Sequence, residues 1–331
     1  MNANQEEHKY KHRSRLTINH GLTADHLPLH LHLPGPSGRI FSPLGIHFDT
    51  RAQHVLVTDP THHFIHAFCR ADLRHLSTFN ATTHCSLDGK DNQPTGITVQ
   101  AGTGHIAYCE FYHREWRVIT NSDHEQGAGR LLYRSPQRFL VTFPSSINAP
   151  TAIASSSSGQ FYVADASYAQ ASLFDAAGRF LREFKSNNTS ASGPKKHRRA
   201  ERECVRDICA TATTAPTCSP AVVLITDSEL DVIQVWSVDG SQKILEYFVP
   251  DCATICMDMK GYICVGVEEN ENERVCIYDL RALRANASNH RARSELEVIE
   301  GFESMAQLCV DDTNVLMVCD HEAQQVKFFG S

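Results

Sequence analysis

The sequence has no long apolar run and no excess of positive charge. None of its segments approaches the roughly 20 consecutive apolar residues of a membrane-spanning helix, and residues 1–15 are polar and charged, unlike a secretory signal peptide. The formal net charge of -7 gives no overall attraction to nucleic acid or to an anionic membrane. We therefore expect a cytoplasmic protein without membrane or DNA partners. The alternative is a nuclear protein, with Lys195–Arg199 as its import signal.

Motifs for a metal centre or for catalysis are also missing. The 12 cysteines include no Cys-x-x-Cys pair, and Cys252 and Cys256 lie along a predicted strand with no second pair to complete a zinc site. His26, His30 and His32 lie close together, but a chain with 19 histidines forms such clusters readily. No nucleophile elbow, phosphate-binding loop or acid–base pair is present. We predict no cofactor, no metal and no catalytic residue, with the cysteines as buried thiols of a reducing compartment.

One sequence unit recurs six times along the chain. It has a Pro-x-Gly-Ile-like start, an acidic turn, an apolar strand that ends in Asp, and a further strand; the best copies start at Pro43, Pro94 and Pro150. With the proline position as the marker, the copies begin at residues 43, 94, 150, 205, 252 and 305, which are 47–56 residues apart. A propeller blade of four short strands takes about 40–50 residues, so each interval accommodates one blade with modest loop insertions.

The recurring segments are typical of β-strands. They are four to six residues long, rich in Val, Ile, Phe and Tyr, and bounded by Gly, Pro, Asp and Ser. Ile233–Trp236, Val275–Tyr278 and Val326–Phe329 are the same strand in the last three copies, with a large residue near its end to fill the space between neighbouring blades. The sequence therefore predicts an all-β fold, a six-bladed β-propeller.

The copies resemble the NHL repeat, whose pattern reads Pro-x-Gly-Ile-x-x-Asp, Gly, Tyr-Val-x-Asp, Ile-x-Val-Phe and Asp-x-x-Gly. Residues 150–184 carry this pattern most fully, and the resemblance covers roughly residues 38–329. Two departures stand out. Copy five has Val267 where the others have Asp or Glu, and copies four to six lack the Pro-x-Gly start.

The last copy ends after its third strand, so an N-terminal segment is expected to supply the fourth. Two segments qualify, Leu16–Ile18 and the alternating Leu29–Leu33. Such pairing would close the ring between the first and last segments. The predicted organisation is a disordered tail at 1–12 and a single propeller at 13–331, with flexible loop insertions at 186–203 and 281–297.

Binding residues of propellers usually lie on loops of one face. Copies one to three place aromatic and basic residues there, which suit base stacking and phosphate contact, although a solvated loop explains them as well. Copies four to six place acidic residues there: Asp227, Glu229, Asp231, Glu268, Glu269, Glu271, Asp320 and Glu322. The candidate binding residues, including a basic run that an ordinary solvated loop also explains, are His62, His63, Tyr112, His113, Arg114, Tyr168, Lys195, Lys196, Arg198 and Arg199.

The resemblance to NHL domains, especially those of TRIM-NHL and malin-like proteins, implies target recognition for ubiquitin ligation or RNA binding. The chain has no RING-type Cys and His spacing, no B-box and no heptad coiled coil, so it cannot ligate ubiquitin by itself. We expect a non-catalytic platform that binds a protein target in ubiquitin-dependent regulation, with a RING-type ligase as partner. Single-stranded RNA binding is the alternative, and a metal-centred propeller hydrolase or lyase is a distant third.

Overall fold

The computed structural model describes residues 29–31, 42–81, 93–110, 114–120, 131–134, 147, 149–166, 170–185, 205–210, 221–269, 272–285 and 295–330. Within these ranges, 24 strands form six four-stranded antiparallel sheets. The first strands of neighbouring sheets contact one another all the way round, so the sheets form a closed ring. The arrangement confirms the predicted six-bladed β-propeller.

Each blade starts with an inner strand at the ring axis and ends with an outer strand at the rim. The strands of the first three blades are β2 (Ile46–Asp49), β3 (His54–Asp59), β4 (Phe64–Cys69), β5 (His75–Asn80), β6 (Pro94–Val99), β7 (Ile106–Glu110), β8 (Glu115–Ile119), β9 (Leu131–Arg134), β10 (Pro150–Ser155), β11 (Phe161–Asp165), β12 (Gln170–Phe174) and β13 (Phe180–Lys185). Those of blades 4 to 6 are β14 (Val205–Ala210), β15 (Val222–Asp227), β16 (Val232–Ser237), β17 (Lys243–Phe248), β18 (Cys252–Met257), β19 (Tyr262–Glu269), β20 (Asn272–Asp279), β21 (Glu295–Phe302), β22 (Met305–Val310), β23 (Leu316–Asp320), β24 (Gln325–Phe329) and, at the edge, β1 (Leu29–Leu31).

The repeat markers coincide with the starts of the inner strands. Five inner strands begin at their marker residue: Pro94, Pro150, Val205, Cys252 and Met305. In blade 1, β2 begins at Ile46, shortly after Pro43, but the 3.1 Å bond from Leu44 N to Thr58 O already pairs the chain with β3. The repeat therefore marks the points where the chain returns to the axis.

The acidic turn of the repeat closes the hairpin between the first two strands. In blade 5, Asp258 Oδ1 accepts hydrogen bonds from the backbone nitrogens of Lys260 at 2.9 Å and Tyr262 at 2.8 Å. Asp49 and Asp311 do the same in blades 1 and 6. A short carboxylate suits this place because it can satisfy backbone donors that the turn leaves unpaired.

Apolar side chains between neighbouring blades form the core. Six buried clusters each combine residues of two adjacent blades, so every blade is held on both faces. Between blades 2 and 3, for example, the Trp116 ring lies 5.0 Å from Phe161 and 5.1 Å from Phe174. The cluster that packs Phe68 against Met317 joins blade 1 to blade 6.

The N-terminal strand supplies the outer strand of blade 6. β1 pairs antiparallel with β24, with Leu29 opposite Phe328 and Leu31 opposite Val326. The structure thus uses the Leu29–Leu33 candidate, of which residues 32 and 33 lie outside the described ranges. Leu16–Ile18 also lies outside them.

The predicted loop at 281–297 requires a correction. A short helix, α1 (Leu280–Ala285), follows β20, and β21 already begins at Glu295. Leu280 and Leu283 are buried in the cluster between blades 4 and 5, and this packing gives the segment regular structure. α1 is the only α-helix in the described ranges, and it is too short to span a membrane. The predicted tail at 1–12 and nearly all of the predicted loop at 186–203 lie outside these ranges.

Removing β1 should weaken the whole ring. Deletion of residues 1–33 breaks the pairing of three residues with β24 and exposes the edge of blade 6. At about 0.5–1.5 kcal/mol for each backbone hydrogen bond, the free energy of unfolding should fall by about 2 kcal/mol. Denaturant unfolding measures this difference.

Deletion of residues 1–20 is the control, since it keeps β1 and should leave the unfolding midpoint unchanged. Equal stability of the two truncated proteins would show that β1 does not close the ring.

Candidate functional site

One face of the ring, here called the loop face, carries both the starts of the inner strands and the turns between the second and third strands of the blades. Three predicted binding residues of this face are described. His62 lies against Asp59, with 2.8 Å between His62 Nδ1 and Asp59 Oδ2; His63 and Arg114 adopt positive φ angles of 62° and 54° in their turns. The other candidates, Tyr112, His113, Tyr168, Lys195, Lys196, Arg198 and Arg199, lie outside the described ranges.

The carboxylates that end the second strands hold the backbone together. Asp320 is fully buried and accepts hydrogen bonds from Ser304 N at 3.0 Å and from Lys327 Nζ at 2.6 Å. Asp165 accepts one from Ala149 N at 3.1 Å. Such bonds fasten the start of an inner strand to the end of its neighbour.

Asp227, like Asp320, was expected at the surface of the acidic half, but the structure buries both. Asp227 Oδ1 accepts hydrogen bonds from the backbone nitrogens of Glu229 and Leu230. Burial raises the pKa of Asp227 to about 6, and the charges of Glu229 and Glu246 act in the same direction. Glu271, also expected there, lies outside the described ranges.

A cavity of about 420 Å³ opens on the loop face at the ring axis. The inner strands of blades 2 to 6 contribute to its wall, together with Leu44, which lies just before β2. Glu268 at the end of β19 and His321 after β23 also reach it. We call this cavity the axial mouth. Six of its residues directly follow the repeat markers: Leu44, Thr95, Thr151, Arg206, Ala253 and Ala306.

At the positions directly after the markers, the wall is polar in three consecutive blades and apolar in the other three, beside which Glu268, Ser304 and His321 add polar groups. Thr95, Thr151 and Arg206 come from the consecutive blades 2 to 4 and form a polar arc. The apolar arc consists of Ala253 and Ala306 with Leu44, from blades 5, 6 and 1. A guest with a polar head and an apolar stem would match this division.

The next residue of each inner strand lies deeper, where the blades differ more strongly. Blades 1 to 3 have Gly45, Gly96 and Ala152, and a Cβ on Gly45 would lie 2.0 Å from Thr95 O. The neighbouring backbones are therefore too close for a larger side chain. Blades 4 to 6 have Asp207, Thr254 and Gln307 instead.

Asp207 is the centre of a buried hydrogen-bond network. Its Oδ2 accepts bonds from Thr254 Oγ1 at 2.6 Å and from Ile255 N at 2.9 Å. Its Oδ1 accepts bonds from Ile208 N at 2.8 Å and from Gln307 Nε2 at 3.4 Å. Burial of the carboxylate outweighs these bonds and raises the pKa of Asp207 to about 6.

Gln307 carries the same network across the axis to blade 1. Its Oε1 accepts a 2.8 Å hydrogen bond from Ile46 N, while its Nε2 reaches Asp207. Thr254 Oγ1 also accepts a bond from Leu308 N at 3.2 Å. Blades 4, 5, 6 and 1 are thus joined by side chains at the floor of the axial mouth.

Acidic side chains surround the mouth on blades 4 to 6. Arg206 Nη1 lies 2.5 Å from Glu268 Oε2, so the guanidinium of the polar arc is already paired with a carboxylate. Burial raises the pKa of Glu273, and the like charges of Glu268, Asp320 and Glu322 act in the same direction. Within the described ranges, no three His, Cys, Asp or Glu side chains are placed to hold a metal ion.

The axial mouth was missed at the sequence level, although its signal is visible there. Binding residues were expected on the loops, whereas the residue directly after each marker lines the cavity, as do Gly96, Ala152, Asp207 and Gln307 from the next position. Across the six copies, this next position changes from a small residue in copies one to three to Asp207, Thr254 and Gln307 in copies four to six.

Comparisons with known proteins support the fold. No protein-family model and no curated protein matches the chain, so the resemblance to the NHL repeat stays a prediction. Solved structures do match. A streptogramin B lyase shares 11% identity at a TM-score of 0.54, with 91% of this chain and 96% of that chain covered.

Two further structures are similar in the same way. A catalytically inactive histidine-to-alanine variant of virginiamycin B lyase from Staphylococcus aureus, with quinupristin, shares 13% identity at a TM-score of 0.55, over 92% of this chain and 98% of that chain. The Dos1 propeller shares 10% identity at a TM-score of 0.52, over 84% of this chain and 66% of that chain. At such identities the likeness concerns the fold alone.

Asp207 should make the stability of the ring depend on pH. Because its pKa is raised from 3.8 to about 6, the folded protein binds this proton more tightly than the unfolded chain. The contribution of Asp207 is therefore complete below pH ~4 and is lost as the pH rises through about 6. At ~1.4 kcal/mol per pKa unit, the unfolding free energy of the wild type relative to Asp207→Asn should fall by about 3 kcal/mol in all, of which about 2 kcal/mol is lost between pH ~4 and pH ~6.

Denaturant unfolding across this pH range measures the difference, from which other titrating groups such as Asp227 cancel. Asp239→Asn is the control, because hydrogen bonds from Ser237 and Ser241 lower the pKa of Asp239 to about 2. Its contribution is lost only as the pH falls through about 2, so its difference from the wild type should hardly change between pH ~4 and pH ~6. A pH-independent difference for Asp207→Asn would contradict the raised pKa.

Proposed function

We propose that the chain is a non-catalytic recognition platform that binds a protein target on its loop face. The observation that carries the proposal is the acidic character of this face on blades 4 to 6. Glu229, Glu269 and Glu322 are exposed there, and Arg206 and Arg274 are each paired with a carboxylate, Arg274 at 3.0 Å from Glu269. Such a surface attracts a partner with its own positive patch and repels a polyanion.

The carboxylates of the second strands also support a platform rather than a catalytic centre. Asp165, Asp227 and Asp320 accept hydrogen bonds from backbone donors and so act in the architecture of the ring. The lyases of similar fold share only 11–13% identity with the chain, and their activity is not carried over.

The ubiquitin-dependent setting is the finer part of the proposal. It rests on the resemblance to the NHL domains of TRIM-NHL and malin-like proteins. The chain carries no RING-type spacing, so a RING-type ligase would have to join as a partner. The chain would then act as the substrate receptor of that assembly.

The test uses cross-linking mass spectrometry on the tagged chain in cells. The rim variant carries Glu229→Gln, Glu269→Gln and Glu322→Gln. We expect the wild type to cross-link a protein target at the loop face of blades 4 to 6, and the rim variant to bind it about tenfold more weakly, since three exposed charges each contribute up to ~1 kcal/mol. A RING protein and ubiquitin in the same complex would support the ubiquitin setting.

The control variant carries Glu183→Gln, Glu246→Gln and Glu300→Gln on the outer strands, with the same change of net charge. It should bind like the wild type. RNA cross-links that disappear with Tyr112→Ala and Arg114→Ala, together with unchanged protein capture by the rim variant, would overturn the proposal in favour of RNA.

A further inference from the structure

We propose that the axial mouth is a socket for one basic side chain, lysine or arginine, of the protein target. This inference rests on the proposed function and adds the chemistry of the central contact. The rim would attract a basic segment, and the socket would fix one of its residues at the axis.

The axial mouth has room for one long side chain together with part of its own backbone. Its volume of about 420 Å³ lies near the lower end of the roughly 300–1,000 Å³ that small-ligand pockets span. The apolar arc of Leu44, Ala253 and Ala306 can pack against the methylene stem of a lysine or arginine. A folded element would not fit between the six inner strands.

A negative charge without a bonded counterion among the described residues lies at the floor. Asp207 is only 3% exposed, and the groups that donate to it are the hydroxyl of Thr254, the amide of Gln307 and two backbone nitrogens. All of these donors are neutral. A buried carboxylate costs free energy unless a positive charge compensates it, so a cation in the mouth would gain from this position.

A hydroxyl group of the polar arc also lacks a hydrogen-bond partner among the described residues. Thr95 is 9% exposed and lines the mouth, and its Oγ1 is buried without a hydrogen-bond partner among the described residues. An unpaired buried hydroxyl calls for an explanation such as a bound molecule. A hydroxyl can accept a bond from an ammonium or guanidinium group, and so can the nearby hydroxyl of Thr151.

The groups around Asp207 favour a cation over an anion. Arg206 Nη1 is paired with Glu268 Oε2 at 2.5 Å, while its buried Nε has no hydrogen-bond partner among the described residues. The acidic rim adds negative potential. An incoming cation can share Glu268 with Arg206, since only one carboxylate oxygen is engaged in that pair. The titratable or charged groups that line the mouth or interact electrostatically with Asp207 are Arg206, Glu268, His321, Cys109, Cys209 and Cys309.

Binding should be linked to the proton of Asp207. A cation nearby favours the ionised carboxylate and lowers the pKa of Asp207 from about 6. Binding therefore releases a proton in mildly acidic solution and becomes tighter as the pH rises through about 6. If only the carboxylates of the rim bound the cation, its affinity would not depend on the protonation of Asp207.

The experiment measures binding of acetyl-Gly-Lys-Gly-amide and acetyl-Gly-Arg-Gly-amide to the full chain by NMR titration. The neutral probe has norleucine in the central position. We expect binding of at least one basic probe, tighter at pH ~7.5 than at pH ~5, and about tenfold tighter than that of norleucine. Asp207→Asn should remove most of the affinity and the pH dependence, since losing one partner of a buried charge pair costs about 2–5 kcal/mol, or tenfold and more.

Two further variants keep the test independent of folding effects at Asp207. Glu268 lies at the half-buried edge of the mouth, and Glu268→Gln should weaken the basic probes severalfold. Ala306→Phe should weaken binding of all probes, because the added ring takes up part of the cavity. Glu246→Gln is the matched control, because it removes a carboxylate from the outer strand of blade 4, the blade that carries Asp207. This variant should bind like the wild type.

Equal binding of the basic and norleucine probes, or basic-probe binding unchanged by Asp207→Asn, Glu268→Gln and Ala306→Phe, would overturn the socket. If these variants also capture the protein target normally while the rim variant does not, the proposed function stands without the socket. If the rim variant captures the target normally as well, both ideas fail.

Discussion

The convergence of six inner strands on one axis is the constraint on which the rest of the structure depends. Four-stranded blades pack face to face only if their first strands approach closely, and a Cβ on Gly45 or Gly96 would already meet neighbouring backbone at 2.0 Å or 2.6 Å. The interblade clusters then fill the space that widens towards the rim. Small residues at the axis and large ones further out are therefore two consequences of one geometry.

The ring meets this constraint in two ways. Blades 1 to 3 place glycine or alanine at the tight position, and their backbones approach directly. Blades 4 to 6 place Asp207, Thr254 and Gln307 there, and hydrogen bonds among these side chains link the three inner strands. Buried polar side chains need hydrogen-bond partners. Asp207 therefore bonds with Thr254 and Gln307, and Gln307 also accepts a bond from the backbone amide of Ile46.

Much of the fold could be predicted because its constraints repeat. Proline, glycine and the acidic turn recur in register, so the starts of the inner strands followed from spacing, and the alternation of Leu29–Leu33 indicated the closing strand. The axial mouth could not be found this way. Its residues come from segments far apart in the sequence, and the missing Pro-x-Gly start of copies four to six was noted only as a departure from the repeat. Their lost glycine is the change that brings Asp207 and Gln307 to the axis.

The choice of Asp207 is not required by the ring. Gly45, Gly96 and Ala152 show that the same position tolerates an uncharged small residue in three blades, whereas Asp207 is a carboxylate that burial disfavours. Its neutral donors stabilise it only in part. Asp207 lowers stability, lies at the floor of a cavity and is replaced by uncharged residues in blades 1 to 3. A role in binding what enters the cavity explains this choice best. The asymmetry of the axis and the acidity of the loop face then have one common cause, a positively charged guest.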